Sequence, residues 1–290
     1  MCPGTGSSKK WEQKHAAAVD LFRNKPARLA SVLPTLPFAL ISSHFCTLSM
    51  NLTAVEILLV LLIMLGTTFV RAAMGFGNAL IAMPLLILLV GVQTAAPLVG
   101  LLGLLIAVLM LMGTWRKIVF EDAWRLVLST LVGIPVGLFF LTSAPEGYVR
   151  MVLGVVLIAF GLFNLFGLRL PRIQRQDFAL IFGFFAGILG GAYNSNGPPV
   201  VIYGVMRDWP PEKFRATLQG YFLVTAAGIV SGQGISGLWT GEVLQLVLIS
   251  LPAVVLGVGL GRWAARRIPA DRFDRLLYGF LVLVGTLMFL

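Results

Sequence analysis

The chain has 290 residues, 58% of them hydrophobic and only 12% charged. Soluble domains carry about 25% charged residues, so this composition describes an integral membrane protein and leaves no room for a sizeable soluble catalytic domain. The net charge of +10 is to be read by position, because basic residues in short loops report topology rather than nucleic-acid binding.

Residues 1–52 form a basic N-terminal extension. Lys9, Lys10, Lys14, Arg23, Lys25 and Arg28 precede a proline-interrupted apolar stretch from Leu29 to Leu48. The extension reads as a disordered cytoplasmic tail or as a weak extra span, and Met50 offers an alternative start directly before a strong apolar run. No small-residue cleavage site marks it as a signal peptide. Both cysteines (Cys2, Cys46) and both histidines (His15, His44) lie here, which disfavours a disulfide framework or a His/Cys metal site in the rest of the chain.

A first membrane repeat is expected over residues 53–168. It opens with an apolar arm from Val55 to Ala73, breaks at Gly75-Phe76-Gly77-Asn78 and resumes as a short arm from Ala79 to Val90. Spans Ala95–Met112, Ala123–Leu141 and Val149–Phe166 follow. A second repeat over 169–290 has arms Phe178–Leu189 and Val200–Met206, then spans Phe214–Val230, Val243–Leu260 and Phe273–Leu290. Between its arms lies Gly190-Gly191-Ala192-Tyr193-Asn194-Ser195-Asn196-Gly197-Pro198-Pro199, which no continuous helix tolerates. Neither of those arms reaches the roughly 20 apolar residues of a crossing helix. Unwound backbone at membrane depth survives only where protein buries it or a wet cavity bathes it, and such broken pairs point to a transport site.

The halves align as copies. Phe69, Gly75 and Pro84 match Phe184, Gly190 and Pro199 at a spacing of 115; after one inserted loop, Gly133 and Gly137 match Gly257 and Gly261 at 124. The basic loops at Arg116-Lys117, Arg169/Arg172/Arg175 and Arg262/Arg266/Arg267 are assigned to the cytoplasm, and those at Ser143–Gly147 and Ser231–Glu242 to the outside. Ala95–Met112 then runs inward while its partner Phe214–Val230 runs outward. The expected fold is an all-α integral membrane protein: a polytopic helical bundle of two duplicated, inverted five-segment halves, each with a broken helix pair. Each pair either re-enters on its own side or crosses completely.

Arg71 is the most informative residue for chemistry. It sits in an apolar arm four residues before the break, with no acidic residue nearby in sequence, and an ionisable group at that depth marks function by default. It either binds an anion or snorkels to the interface and caps loosened carbonyls. Helix restarts near Asn78 and Gly197 present free N–H groups that suit oxyanions. The candidate binding set is Arg71, Gly75, Gly77, Asn78, Tyr193, Asn194, Ser195, Asn196, Gly197, Pro198 and Tyr203, although the polar members serve equally well to satisfy loosened backbone. No carboxylate falls mid-membrane, which disfavours an Asp/Glu proton relay and a divalent-cation site. In a proton-coupled process the substrate itself would carry the proton, or net charge would follow the membrane potential. No nucleophile–base pair is present in the spans, so no catalytic residue, metal or cofactor is expected.

These residues resemble the TauE/SafE sulfite-exporter family. The first signature runs Arg71-Ala72-Ala73-Met74-Gly75-Phe76-Gly77-Asn78-Ala79-Leu80 to Met83-Pro84-Leu85-Leu86, and the second joins Gly187-Ile188-Leu189-Gly190-Gly191, Asn196-Gly197-Pro198-Pro199-Val200-Val201-Ile202-Tyr203 and Arg215-Ala216-Thr217. The likeness covers Met50 to Leu290 and implies a multi-pass permease of the bacterial inner membrane with duplicated halves, associated with sulfite, sulfonates and related organic anions. The chain departs from the family pattern at Asn78-Ala79, where many relatives are glycine-rich, and in its basic extension. The expected function is secondary transport of a small anion by alternating access, with a passive anion channel or a non-transport membrane assembly protein as alternatives. Expected partners are the anion and the lipid bilayer, with a homodimer as the candidate assembly and no nucleic acid.

Overall fold

The computed structural model describes residues 52–112, 120–167, 171–173, 175–265, 267 and 270–289. The N-terminal extension, with its expected tail or span and the start at Met50, lies outside the described residues, as do Arg116, Lys117, Arg169 and Arg266. Among the described residues the chain is helical and multi-pass. Helices α1 (Ala54–Met74), α2 (Asn78–Val90), α3 (Val92–Leu111), α4 (Phe120–Ser143) and α5 (Glu146–Leu165) precede α6 (Phe178–Tyr193), α7 (Gly197–Met206), α8 (Pro211–Ile235), α9 (Gly241–Ala265) and α10 (Ala270–Leu287). Five of them, namely α1, α3, α4, α5 and α9, are long and apolar enough to cross a membrane.

Several helices run further than the hydropathy pattern suggests. The second break is shorter than expected, because Gly190 and Gly191 stay helical and α6 ends only at Tyr193. Packing overrides glycine's poor helix propensity here. A Cβ on Gly187 or Gly191 would collide with the backbone of α4, at Thr130 and Ile134, and one on Gly133 or Gly137 would collide with α6, at Phe184 and Ile188. Glycines on both partners therefore set a backbone-to-backbone approach, the usual device where lipid gives no hydrophobic drive for helices to associate. α9 also approaches α1 closely, with the glycines on α9: Gly257 and Gly261 lie over the Leu65 and Phe69 carbonyls.

Helix directions follow from which residues meet. Gln233, near the C-terminal end of α8, donates to the Ala96 carbonyl near the start of α3, so these two helices run antiparallel. Gly154 of α5 packs on Gly285 and Met288 of α10, and Gly161 packs on Tyr278 and Val282, so this pair is antiparallel too.

The second broken pair returns to the end it came from. The Ile173 N–H, just ahead of α6, donates to the Met206 carbonyl at the end of α7 (2.9 Å), and Arg172 pairs with Asp208 at 3.1 Å. The end of α2 lies elsewhere, with Gly91 beside Glu146 at the start of α5. α2 has 13 residues and α7 has 10, giving lengths of about 20 Å and about 15 Å. Each is shorter than the roughly 30 Å of a bilayer's hydrocarbon, so neither crosses it alone.

Candidate functional site

Two αL glycines build the first break. Gly75 caps α1 with φ of 95° and Gly77 precedes α2 with φ of 99°, a region other residues enter only at a cost. The Gly75 N–H closes onto the Arg71 carbonyl at 2.7 Å, so Arg71 occupies the last turn of α1. Partial negative charge at a helix C-terminus favours a cation there. The side chain is 8% exposed and donates from Nη1 to the Gly103 carbonyl of α3 at 3.1 Å. Its guanidinium also lies 5.6 Å from the ring centre of Phe222 on α8, a cation–π contact of about 0.5–2 kcal/mol. A carbonyl and a ring solvate the charge without neutralising it.

The second break turns on Asn194, the αL cap of α6 with φ of 55°, a conformation asparagine tolerates better than most residues. Its Nδ2 donates to the Ala96 carbonyl at 2.7 Å and its Oδ1 lies 3.4 Å from Gln233 Nε2. Asn196 donates to Thr225 Oγ1 at 2.8 Å, and Ser195 Oγ donates to the Tyr193 carbonyl at 3.1 Å. The Thr225 hydroxyl donates in turn to the Tyr221 carbonyl, and the Tyr221 hydroxyl sits 2.8 Å from Thr130 Oγ1. Because Thr130 donates to the Gly183 carbonyl, Tyr221 is the donor of that pair. The amide and hydroxyl donors of this break are thus engaged in holding it against α3, α4 and α8.

Both breaks face one cavity with two lobes, which share Arg71, Asn78, Ala79, Asn194, Asn196 and Phe222. Phe76, Gly77, Leu80, Ser195 and Gly197 complete one lobe. Val99, Gly100, Gly103, Ala226 and Ile229 complete the other. Of the residues expected to bind substrate, the cavity brings together Arg71, Gly77, Asn78, Asn194, Ser195, Asn196 and Gly197. Gly75 is not part of the lining; its carbonyl accepts from Gln219 Nε2 at 3.0 Å. Tyr193 points to α5, where its hydroxyl donates to the Val149 carbonyl at 3.0 Å. Tyr203 packs between Phe182 and Trp209, tilted against the first and edge-on to the second, with ring centres 5.8 Å apart in each case. Pro198 is buried in the first turn of α7 and lies outside the lining.

The two helix starts differ chemically. At α2, the first intrahelical bond near the break is Ile81 N–H to the Gly77 carbonyl, and the N–H groups of Asn78, Ala79 and Leu80 precede it beside the lining. At α7, Pro198 and Pro199 carry no N–H. The donor-rich end is therefore that of α2, which also lies nearer to Arg71 in sequence. Sequence reasoning missed Phe222, because an aromatic in an apolar segment carries no polar signal, whereas Phe76 was marked as part of the first break but not as a lining residue. Gly100 and Gly103 also line the cavity.

A family model described as sulfite exporter TauE/SafE matches residues 59–288. A curated protein of Cupriavidus necator named "Probable sulfite/organosulfonate exporter TauE" is 28% identical over 234 residues, a match that covers 77% of this chain and 90% of that protein. No solved structure matches the chain significantly.

Proposed function

The chain belongs to the sulfite exporter TauE/SafE family, and we propose that it is a secondary transporter that moves a small anion, sulfite or a small sulfonate, across the bacterial inner membrane by alternating access. The observation that carries this proposal is Arg71: a guanidinium at the meeting point of two broken helices, buried, with no carboxylate among the residues that line its cavity. A fixed charge that dipoles solvate but do not neutralise is completed by an anion. The N–H groups at the start of α2 aim the same polarity at the same place. The name of the Cupriavidus necator protein supports a sulfur oxyanion as the cargo.

Alternating access fits two halves that are inverted copies of one another. The antiparallel pairs α3/α8 and α5/α10 support that relationship, and so do the corresponding close approaches of α4 to α6 and of α9 to α1. The broken pairs end at different places, one beside Glu146 at the start of α5 and the other beside Ile173 just ahead of α6. Rocking one half against the other would then expose the cavity to each side in turn.

Flux into proteoliposomes tests the function, with sulfite, sulfate, methanesulfonate and a small carboxylate compared in the presence and absence of Arg71. Saturable flux with counter-transport of a sulfur oxyanion, reduced about tenfold or more in Arg71→Ala, is expected. Flux that never saturates would make the protein a channel, and no anion flux from folded protein would remove the proposal.

A further inference from the structure

Asn78 is unlike the other polar residues of the cavity. It is the first residue of α2, it is 2% exposed, and it lines both lobes. Neither Nδ2 nor Oδ1 of its side chain has a hydrogen-bond partner. Asn194 and Asn196 use their amide donors to tie the second break to α3 and α8, whereas Asn78 ties nothing. Buried polar atoms are nearly always partnered, so an amide left open at both ends inside a cavity points to a ligand that offers both an acceptor and a donor.

The rest of the lining narrows what that ligand is. Arg71 and the N–H groups at the start of α2 are donors, and they call for the acceptor oxygens of an anion. Asn78 also places an amide oxygen in the same cavity. A fully deprotonated oxyanion has only lone pairs to set against that oxygen, and a desolvated acceptor facing another acceptor is disfavoured. Turning the amide over exchanges its ends without removing the acceptor. An oxyanion that keeps one acid proton satisfies every group: its charged oxygens take Arg71 and the Asn78 N–H, and its O–H donates to the Asn78 amide oxygen.

We propose that Asn78 selects the singly protonated form of the oxyanion, hydrogen sulfite rather than the sulfite dianion. This inference rests on the anion-transport function proposed above. It assigns the proton a carrier as well: the proton crosses on the cargo, bound to its oxygen throughout.

The test is the apparent affinity for total sulfite in proteoliposomes with equal pH on both sides, measured across the neutral range in which hydrogen sulfite gives up its proton. The wild-type protein should lose about tenfold in apparent affinity for each pH unit above that transition. Methanesulfonate, an anion of one charge with no acid proton to offer the Asn78 amide oxygen, should compete more weakly than hydrogen sulfite and to the same extent at every pH. Asn78→Leu should flatten the sulfite profile and Asn78→Ser, which keeps a donor and an acceptor, should retain it; Asn78→Gly removes the amide with little added bulk should the leucine variant fail to fold. A flat wild-type profile, an unchanged slope in both Asn78→Leu and Asn78→Gly, or the same slope with methanesulfonate would each overturn the inference. Absence of sulfite and methanesulfonate binding at every pH, from folded protein, would overturn the transport function together with it, a result distinct from binding with the wrong profile.

Discussion

Asn194 and Gln233 donate their side-chain amides to one acceptor, the Ala96 carbonyl, at 2.7 and 3.3 Å. One comes from the cap of α6 and the other from the end of α8, so a single carbonyl of α3 gathers three helices beside the cavity. Removing either donor leaves the other amide partly unpaired in a buried setting, which costs about 1–3 kcal/mol. Asn194→Ala and Gln233→Ala should each lower the thermal unfolding midpoint in nanodiscs, and the double variant should lose less than the two losses combined. Additive losses would show that the shared carbonyl does not couple them.

Gly100 lies directly beneath this cluster. A Cβ there would meet Gln233 Oε1 and would come within 2.9 Å of Asn194 Oδ1. Gly100→Ala should therefore displace both amides, with an overpacking penalty of about 1–3 kcal/mol. Flux should fall with stability. Gly66→Ala and Gly259→Ala meet nothing within 4 Å and should be neutral or stabilising, by up to about 1 kcal/mol from helix propensity.

Arg71→Ala should reduce anion flux by about tenfold or more while leaving folded yield within a factor of about two, because the charge-assisted bonds it supplies act on the anion more than on the fold. Arg71→Lys should keep part of the flux: the charge remains, but one compact ammonium cannot both hold the Gly103 carbonyl and present a planar fork to an oxyanion. Equal flux from wild type and a well-folded Arg71→Ala protein would remove Arg71 from the site.

Reporter fusions placed after Gly167 and after Gly237 should report the cytoplasm and the outside, respectively. Both on one side would contradict inverted halves, since α6, α7 and α8 together must then cross an even number of times.

The first break was legible from sequence because Gly75 and Gly77 both adopt φ values that favour glycine, and because a lone arginine in an apolar arm is chemically conspicuous. The second was overdrawn. Gly190 and Gly191 resemble helix breakers in isolation, yet both stay helical, Gly191 against the backbone of α4 and Gly190 against Ile229 and Asn196. Side-chain direction was the other gap. Tyr193 and Asn194 are adjacent, yet one reaches Val149 on α5 and the other Ala96 on α3, a divergence set by the left-handed turn between them. Phe222 had no signal at all, since its place over Arg71 depends on how α8 crosses α3.

The single positive charge among the cavity-lining residues has an electrical consequence. In the alternating-access cycle proposed above, a bound monoanion would leave the site neutral, so the step that carries cargo across would move almost no charge through the membrane field. The empty site is a cation, and its return is the voltage-sensitive half of the cycle, at up to about 2.3 kcal/mol per charge for each 100 mV traversed. Net transport should then respond to membrane potential through the unloaded protein, whereas exchange of one anion for another, which never passes through the empty state, should be indifferent to it.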